Sequence, residues 1–283
     1  MQMAADEIQP KSAAAGRPGR RKNNILEGIV MYRLRHRLTG RGFLRSMAAM
    51  LFAAAVMIFG AGSAKATPSS EVWTNCVMDV QAPGVAHITY DTYSSRSGDF
   101  STDLGLTYGV RLSKVLNAEF GADWLSRVAY PVYINAKVGV PEGVLAKGAP
   151  GFSVGFFNAG TKKNVTNQNV FHLVAGKTMA KNLRLHAGYY HGNGKLLVSS
   201  AGKKQNNGFM FAFDYGFSPL KEGYNKFAVV GDYASGKNAI GGSAVGLTWN
   251  FSPKAGIIVG PVWFNDQGIN GKVKWTTQVD INF

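Results

Sequence analysis

From Val85 to the C-terminus the chain is written in alternating positions. Leu104, Leu106, Tyr108 and Val110 alternate with Asp103, Gly105, Thr107 and Gly109, and Leu116, Ala118, Phe120, Ala122 and Trp124 with Asn117, Glu119, Gly121 and Asp123. Phe209, Phe211, Phe213, Tyr215 and Phe217 alternate with Met210, Ala212, Asp214 and Gly216. At the end, Val273, Trp275, Thr277, Val279, Ile281 and Phe283 alternate with Lys274, Thr276, Gln278, Asp280 and Asn282. Side chains on a strand point to opposite faces with period two. Each segment therefore has one apolar, aromatic face and one face of carboxylates, amides and glycines. The pattern predicts strands over 85–93, 100–111, 116–124, 132–140, 151–159, 169–177, 183–190, 207–217, 225–233, 243–251, 256–264 and 273–283, with the register marked least sharply in 151–159 and 256–264.

In a soluble sandwich the apolar face would be the core. The segments are instead long and uniform, close to the ~9–11 residues that a tilted strand needs to cross a bilayer. Their large aromatics sit on one face and small or charged residues on the other, the reverse of a protein that fills its interior. Connections alternate too. One set is tight or Pro-containing (113–115, 179–182, 218–219, 252–253 and the longer 141–150), and the other is polar, as in 161–168, 192–207 and 235–242. Short turns on one side and longer loops on the other give an even strand count. The expected fold is all-β, a transmembrane antiparallel up-and-down β-barrel of about 12 strands, with 10 or 14 as alternatives.

One continuous apolar run, Met47–Gly62, follows Arg33, Arg35, Arg37, Arg41 and Arg45 and precedes Ala64-Lys65-Ala66. A basic lead, a short apolar core and a small-x-small site are the signature of a secretory signal peptide. The run is shorter than the ~20 residues of a helical span. The expected organisation is a mis-assigned start or extension over 1–30, a signal peptide over 31–66, a periplasmic lead-in or plug over 67–84, and the barrel over 85–283. Composition agrees. Aromatics are 12% of the chain, charged residues 17%, and there is one cysteine, Cys76, which argues against disorder and against a disulfide scaffold. The formal charge of +15 falls to +7 for residues 67–283, with 20 Lys/Arg and 13 Asp/Glu. Most of the basicity belongs to the leader and implies no nucleic-acid partner.

The chain resembles Gram-negative outer-membrane β-barrels over 85–283. Its last strand, VKWTTQVDINF, is similar to their assembly signal, and PVYINAKVGVPE and TTQVDINF resemble an uncharacterised porin-like family. The resemblance implies that the outer-membrane barrel-assembly machinery reads Val279, Ile281 and Phe283. It names no solute, since fold does not fix function. Trp124, Tyr130, Phe209 and Trp275 fall at one set of strand ends and Tyr215, Phe217, Trp249, Phe251 and Phe283 at the other, as in aromatic girdles.

With apolar faces toward lipid, the lumen-facing set is His87, Asp91, Asp103, Glu119, Asp123, Lys137, His172, Arg184, His186, Asp214, Lys226, Asp232, Lys274 and Asp280. Buried charges must be paired, so ion pairs that merely fill the interior are one reading and a narrow polar channel is the other. His172 and His186 offer two metal ligands without a third at an obvious spacing. No Ser–His pair with an orienting group is identifiable, so no enzyme and no cofactor is expected, a membrane-embedded lipid hydrolase being the catalytic alternative. Gly231–Lys237 imitates a phosphate-binding loop, but Asn238 follows it and no helix does.

Two functions fit. One is a porin-like channel or transporter for small solutes. The other is a structural or adhesive barrel whose basic external loops, with Lys162, Lys163, Lys203 and Lys204 foremost, meet lipopolysaccharide or surface partners. Cleavage between Ala66 and Thr67 is the first testable expectation. Intact mass of the membrane-extracted protein should correspond to a chain beginning at Thr67, and a retained Met47–Gly62 segment would show an anchor instead.

Overall fold

The computed structural model describes residues 70–217 and 225–283. The extension, the signal peptide, its cleavage site and the turn at Ser218-Pro219 lie outside the described residues. The strands are β1 (Ala86–Ser94), β2 (Phe100–Arg111), β3 (Asn117–Leu125), β4 (Val132–Val140), β5 (Gly151–Gly160) and β6 (Asn167–Ala180). They continue as β7 (Leu183–His191), β8 (Asn207–Gly216), β9 (Phe227–Ala234), β10 (Gly242–Ser252) and β11 (Ala255–Phe264). A one-turn helix α1 (Gln267–Asn270) precedes β12 (Val273–Asn282). Each strand pairs antiparallel with its sequence neighbours, and β12 returns to β1, closing a barrel of twelve strands.

Closure rests on the last strand. Ile88 lies opposite Ile281 and Tyr90 opposite Val279, and Ala86 and Phe283 exchange backbone hydrogen bonds of 2.9 and 3.0 Å. Every strand thus has two partners, and no row of N–H and C=O groups is left bare. The longest strand, β6, spans 14 residues and outruns its expected length. Irregularities at Phe157/Ala159 and Thr178/Ala180 let its ends stay paired; Asn158 takes a positive φ of 54° at the first of them.

The alternation is carried into space. Phe120 is 54% exposed and Phe209 61%, and Leu106, Ile134, Phe171, Leu173, Phe211 and Leu247 stand out beside them on the outer wall. A continuous apolar belt of this extent is not sustainable in water. It is a lipid-facing surface, and the barrel spans a membrane with strands; among the described residues no helix is long and apolar enough to cross one. Aromatic pairs mark the belt's edges: Tyr189–Phe209 at the long-loop end, and Trp249–Phe251 and Tyr215–Phe217 at the short-turn end, with ring centroids 5.5, 5.3 and 5.6 Å apart.

The inner wall differs from the small, charged face expected of it. Phe157, Val170, Val174, Met210, Val230, Ile258, Val262 and Phe264 turn inward and are buried. The reason is a strap, residues 70–84, that runs inside the barrel. Its Cys76 and Met78 join one apolar cluster with Val170, Val174, Met210 and the loop residues Leu197 and Ile240. Its Val72 and Trp73 join a second cluster with Val230, Ile258 and Val262. Interior apolar side chains are thus explained by what they cover.

Two expectations follow. Phe120→Arg, in mid-belt, should cost about 2–4 kcal/mol and Trp124→Arg, at the belt's edge, about 0–1 kcal/mol in denaturant titrations; equal costs would mean a mis-set membrane level. Cys76 is fully buried on the strap, and burial, then the nearby Asp232 and Glu71 carboxylates, pushes its thiol well above the ordinary value. A maleimide should leave the folded barrel unlabelled and modify the boiled protein, as read by gel shift.

Candidate functional site: the strap and the lumen wall

The strap is tied to the wall chiefly through its backbone. Asp232 of β9 accepts the Trp73 and Thr74 amides at 2.7 and 2.9 Å, and Gln278 of β12 donates to the Val72 carbonyl at 2.6 Å. His186 of β7 accepts the Met78 amide through Nδ1 at 3.2 Å. Lys137 of β4 donates to the Val77 carbonyl at 3.4 Å, and the Gln81 amide donates to Glu119 of β3. One ion pair joins them: Arg184 grips Asp79 with both guanidinium nitrogens, at 2.6 and 3.1 Å. Hydrogen bonds to charged groups contribute about 1.5–3 kcal/mol each, so these contacts hold an irregular segment that has no ladder of its own.

Several of the lumen-facing residues named from sequence are built into this network, and others pair around it. His87 contacts Asp280 at 3.3 Å and Asn282 at 3.1 Å, Glu119 pairs with Lys137 at 3.5 Å, and His186 meets Asp214 at 3.0 Å. Lys274 is buried and extends along the wall to Asp99 of the β1–β2 loop at 3.0 Å. Lys226 is a correction: it precedes β9 and is exposed, because the strand starts at Phe227, two residues later than expected, and leaves it at the short-turn rim. His172 is buried with neither ring nitrogen bonded, and its ring lies 5.5 Å from that of Phe157. Asp91 and Asp103 stand directly opposite each other on β1 and β2, and Asp123 follows on β3, held by Asn135 at 2.9 Å.

These last three carboxylates border the space that the strap leaves. A cavity of about 110 Å³ is lined by Asp91, Asp103, Asp123, Thr107, Asn135 and Gln278, with Glu71 and His172 among its other walls. No ion pair of the described residues engages Asp91, Asp103 or Asp123. The site also contains residues that sequence reasoning missed: Glu71, Trp73, Asp79 and Gln81 lie in a segment without periodicity, and nothing in their spacing announced a partner. His172 and His186 do not converge on a metal; the acidic groups that approach His186 are Glu71 and Asp214.

At the long-loop end, Leu197 and Ile240 fold inward over the strap. Asn238 holds that corner by accepting the Ile240 and Gly241 amides at 2.8 and 2.9 Å. Asp266 accepts the Ser200 amide at 2.8 Å, and that bond, with a second from the Ser200 hydroxyl, holds its carboxyl below the usual range. Lys162, Lys163, Lys203 and Lys204 are all exposed, with the Lys162 ammonium 5.5 Å from the Tyr130 ring centre.

Neither a protein-family model nor a curated protein matches the sequence. Among solved structures the chain is similar to the KdgM porin, at 11% identity and a TM-score of 0.45 over 70% of this chain and 99% of that one. It is similar to the NanC porin at 10% identity and a TM-score of 0.46, over 70% and 98% of the two chains. The COG4313 outer membrane channel from Pseudomonas putida F1 matches at 9% identity and a TM-score of 0.43, over 77% and 100%. Likeness of this degree carries no argument about activity. What the chain shows by itself is a closed, twelve-stranded transmembrane barrel with an occupied lumen.

Proposed function

We propose that the protein is an outer-membrane barrel acting as a narrow porin-like channel for small solutes, held closed in this form by the strap. The observation that supports it most is the unneutralised row of Asp91, Asp103 and Asp123 along the residual cavity. A barrel that needed only to be filled would place apolar or paired groups there, since unpaired buried charge is costly. A path lined by those carboxylates favours cations. On this reading the protein is not an enzyme, small cationic or neutral solutes are its cargo, and the barrel-assembly machinery recognises Val279, Ile281 and Phe283. All three lie on the outward face of the seam strand, since they share the parity of exposed Trp275.

A second reading has its own support. Two apolar clusters fill much of the lumen, as they would in a structural barrel whose exposed lysines bind lipopolysaccharide phosphates at the membrane's outer edge.

Conductance in planar bilayers separates the two. The wild type should pass small currents, and Arg184→Gln combined with Asp232→Asn should raise them by loosening the strap. Asp91→Asn with Asp103→Asn and Asp123→Asn should then diminish cation selectivity. If neither the wild type nor the loosened variant conducts, the structural reading stands, and Gln at Lys162, Lys163, Lys203 and Lys204 should weaken lipopolysaccharide binding at low salt.

A further inference from the structure

An electrostatic discord lies where the strap passes the β7–β9 side of the lumen. Glu71 is 2% exposed, and neither of its carboxylate oxygens has a hydrogen-bond donor. One of them lies within 4.8 Å of ligand atoms of both Asp214 and His186. The charged and titratable groups around it are Asp79 on the strap, Arg184 and His186 on β7, Asp214 on β8 and Asp232 on β9. Arg184 is engaged by Asp79, and Asp232 has the Trp73 and Thr74 amides. Glu71 and Asp214 are left as two neighbouring carboxylates that share one imidazole. Such a pair needs a cation between its members or a proton on one of them.

We propose that Glu71 and Asp214 bind a divalent cation of the calcium type, which staples the strap to β8. The donor set decides the class of ion. Because Nδ1 of His186 accepts the Met78 amide, its proton sits on Nε2, which donates to Asp214 at 3.0 Å. The imidazole therefore orients a ligand and is not one itself, and the atoms offered are carboxylate oxygens. Oxygen-only sets suit hard cations, whereas zinc prefers nitrogen and sulfur. The spacing fits: two oxygens across a calcium ion lie up to about 5 Å apart when each bond is about 2.3–2.6 Å. Glu71 also borders the cavity of about 110 Å³, from which water can complete the shell. The site stands whether or not the barrel conducts, since it concerns the seat of the strap.

The test uses the mature barrel refolded in detergent without lipopolysaccharide, which binds calcium itself, with folding of each sample checked by its gel mobility before boiling. After chelation, equilibrium dialysis should show one calcium per barrel with a dissociation constant of roughly 10⁻⁴–10⁻³ M, as expected for a site with few protein ligands. Glu71→Gln and, separately, Asp214→Asn should abolish it, and zinc should not displace calcium at equal concentration. Alkylation of Cys76 under mild heating should slow several-fold with calcium in the wild type and be indifferent to it in Glu71→Gln. No uptake up to about 10 mM, an order of magnitude above the expected range, would mean a proton alone bridges the pair and would overturn the proposal. Uptake unchanged in both variants would place calcium elsewhere and overturn it as well. Neither result bears on the conductance of the strap-loosened variant, so the two readings fail separately.

Discussion

A bilayer interior offers no partner to a backbone amide, and each group left bare there costs several kcal/mol. A sheet can enter that environment only by consuming its own edges. The β1–β12 seam is therefore the contact on which the rest depends, and Phe283 is its last stitch through the bonds exchanged with Ala86. Once the ring is closed, the alternation of side chains has a fixed meaning. One parity faces hydrocarbon, and the other faces a space that the protein must itself fill, hydrate or leave open.

The strap is the answer this chain gives to that second condition. It enters beside β1 and passes groups contributed by β3, β4, β7, β9 and β12. Its apolar side chains meet inward-facing Val, Met and Ile, while its amides and carbonyls are met by side chains of the wall. This division is what an extended segment inside a barrel requires: apart from the bridge of Pro83 to Gly109 on β2 it has no strand partner, so most of its backbone groups must find other acceptors and donors. Polar anchoring is also directional and exchangeable with water, unlike a knitted ladder, and the proposed channel reading would need the strap to be released in that way.

The architecture was legible because period two is robust: β2 carries the alternation of Leu104, Leu106 and Tyr108 between its ends, and β4 begins at Val132 directly after Pro131, both with the expected bounds. The register of the wall was legible for the same reason. Lys226 shows the limit of the method, because parity places a residue on a face but does not say whether the strand reaches it. Residues 67–84 could be read as a lead-in or as a plug, but the contacts they make inside the lumen were not legible. Asp79 and Gln81 find partners 38 to 201 positions away, through a path that no local pattern encodes. Inward Val170, Val174 and Met210 read as ordinary variation within an alternating strand until the strap that covers them is in place.

Charge is distributed along the barrel axis in a way that links these parts. The external connections carry Arg96, Arg127, Lys162, Lys163, Lys195, Lys203, Lys204, Lys237 and Lys272 against Asp99 and Asp266, which equals the net +7 of residues 67–283. The lumen holds carboxylates instead: Asp91, Asp103 and Asp123 line the residual cavity together with Glu71 of the strap, and Asp214 and Asp232 stand on β8 and β9. Cations at the rim are exposed and screened within a Debye length of about 8–10 Å in physiological salt. The carboxylates inside are shielded from salt by the wall. A mobile cation approaching from outside is therefore repelled weakly over a short distance and attracted strongly over a longer one. The strap runs through that space. Any ion that enters must either displace the strap or help to hold it.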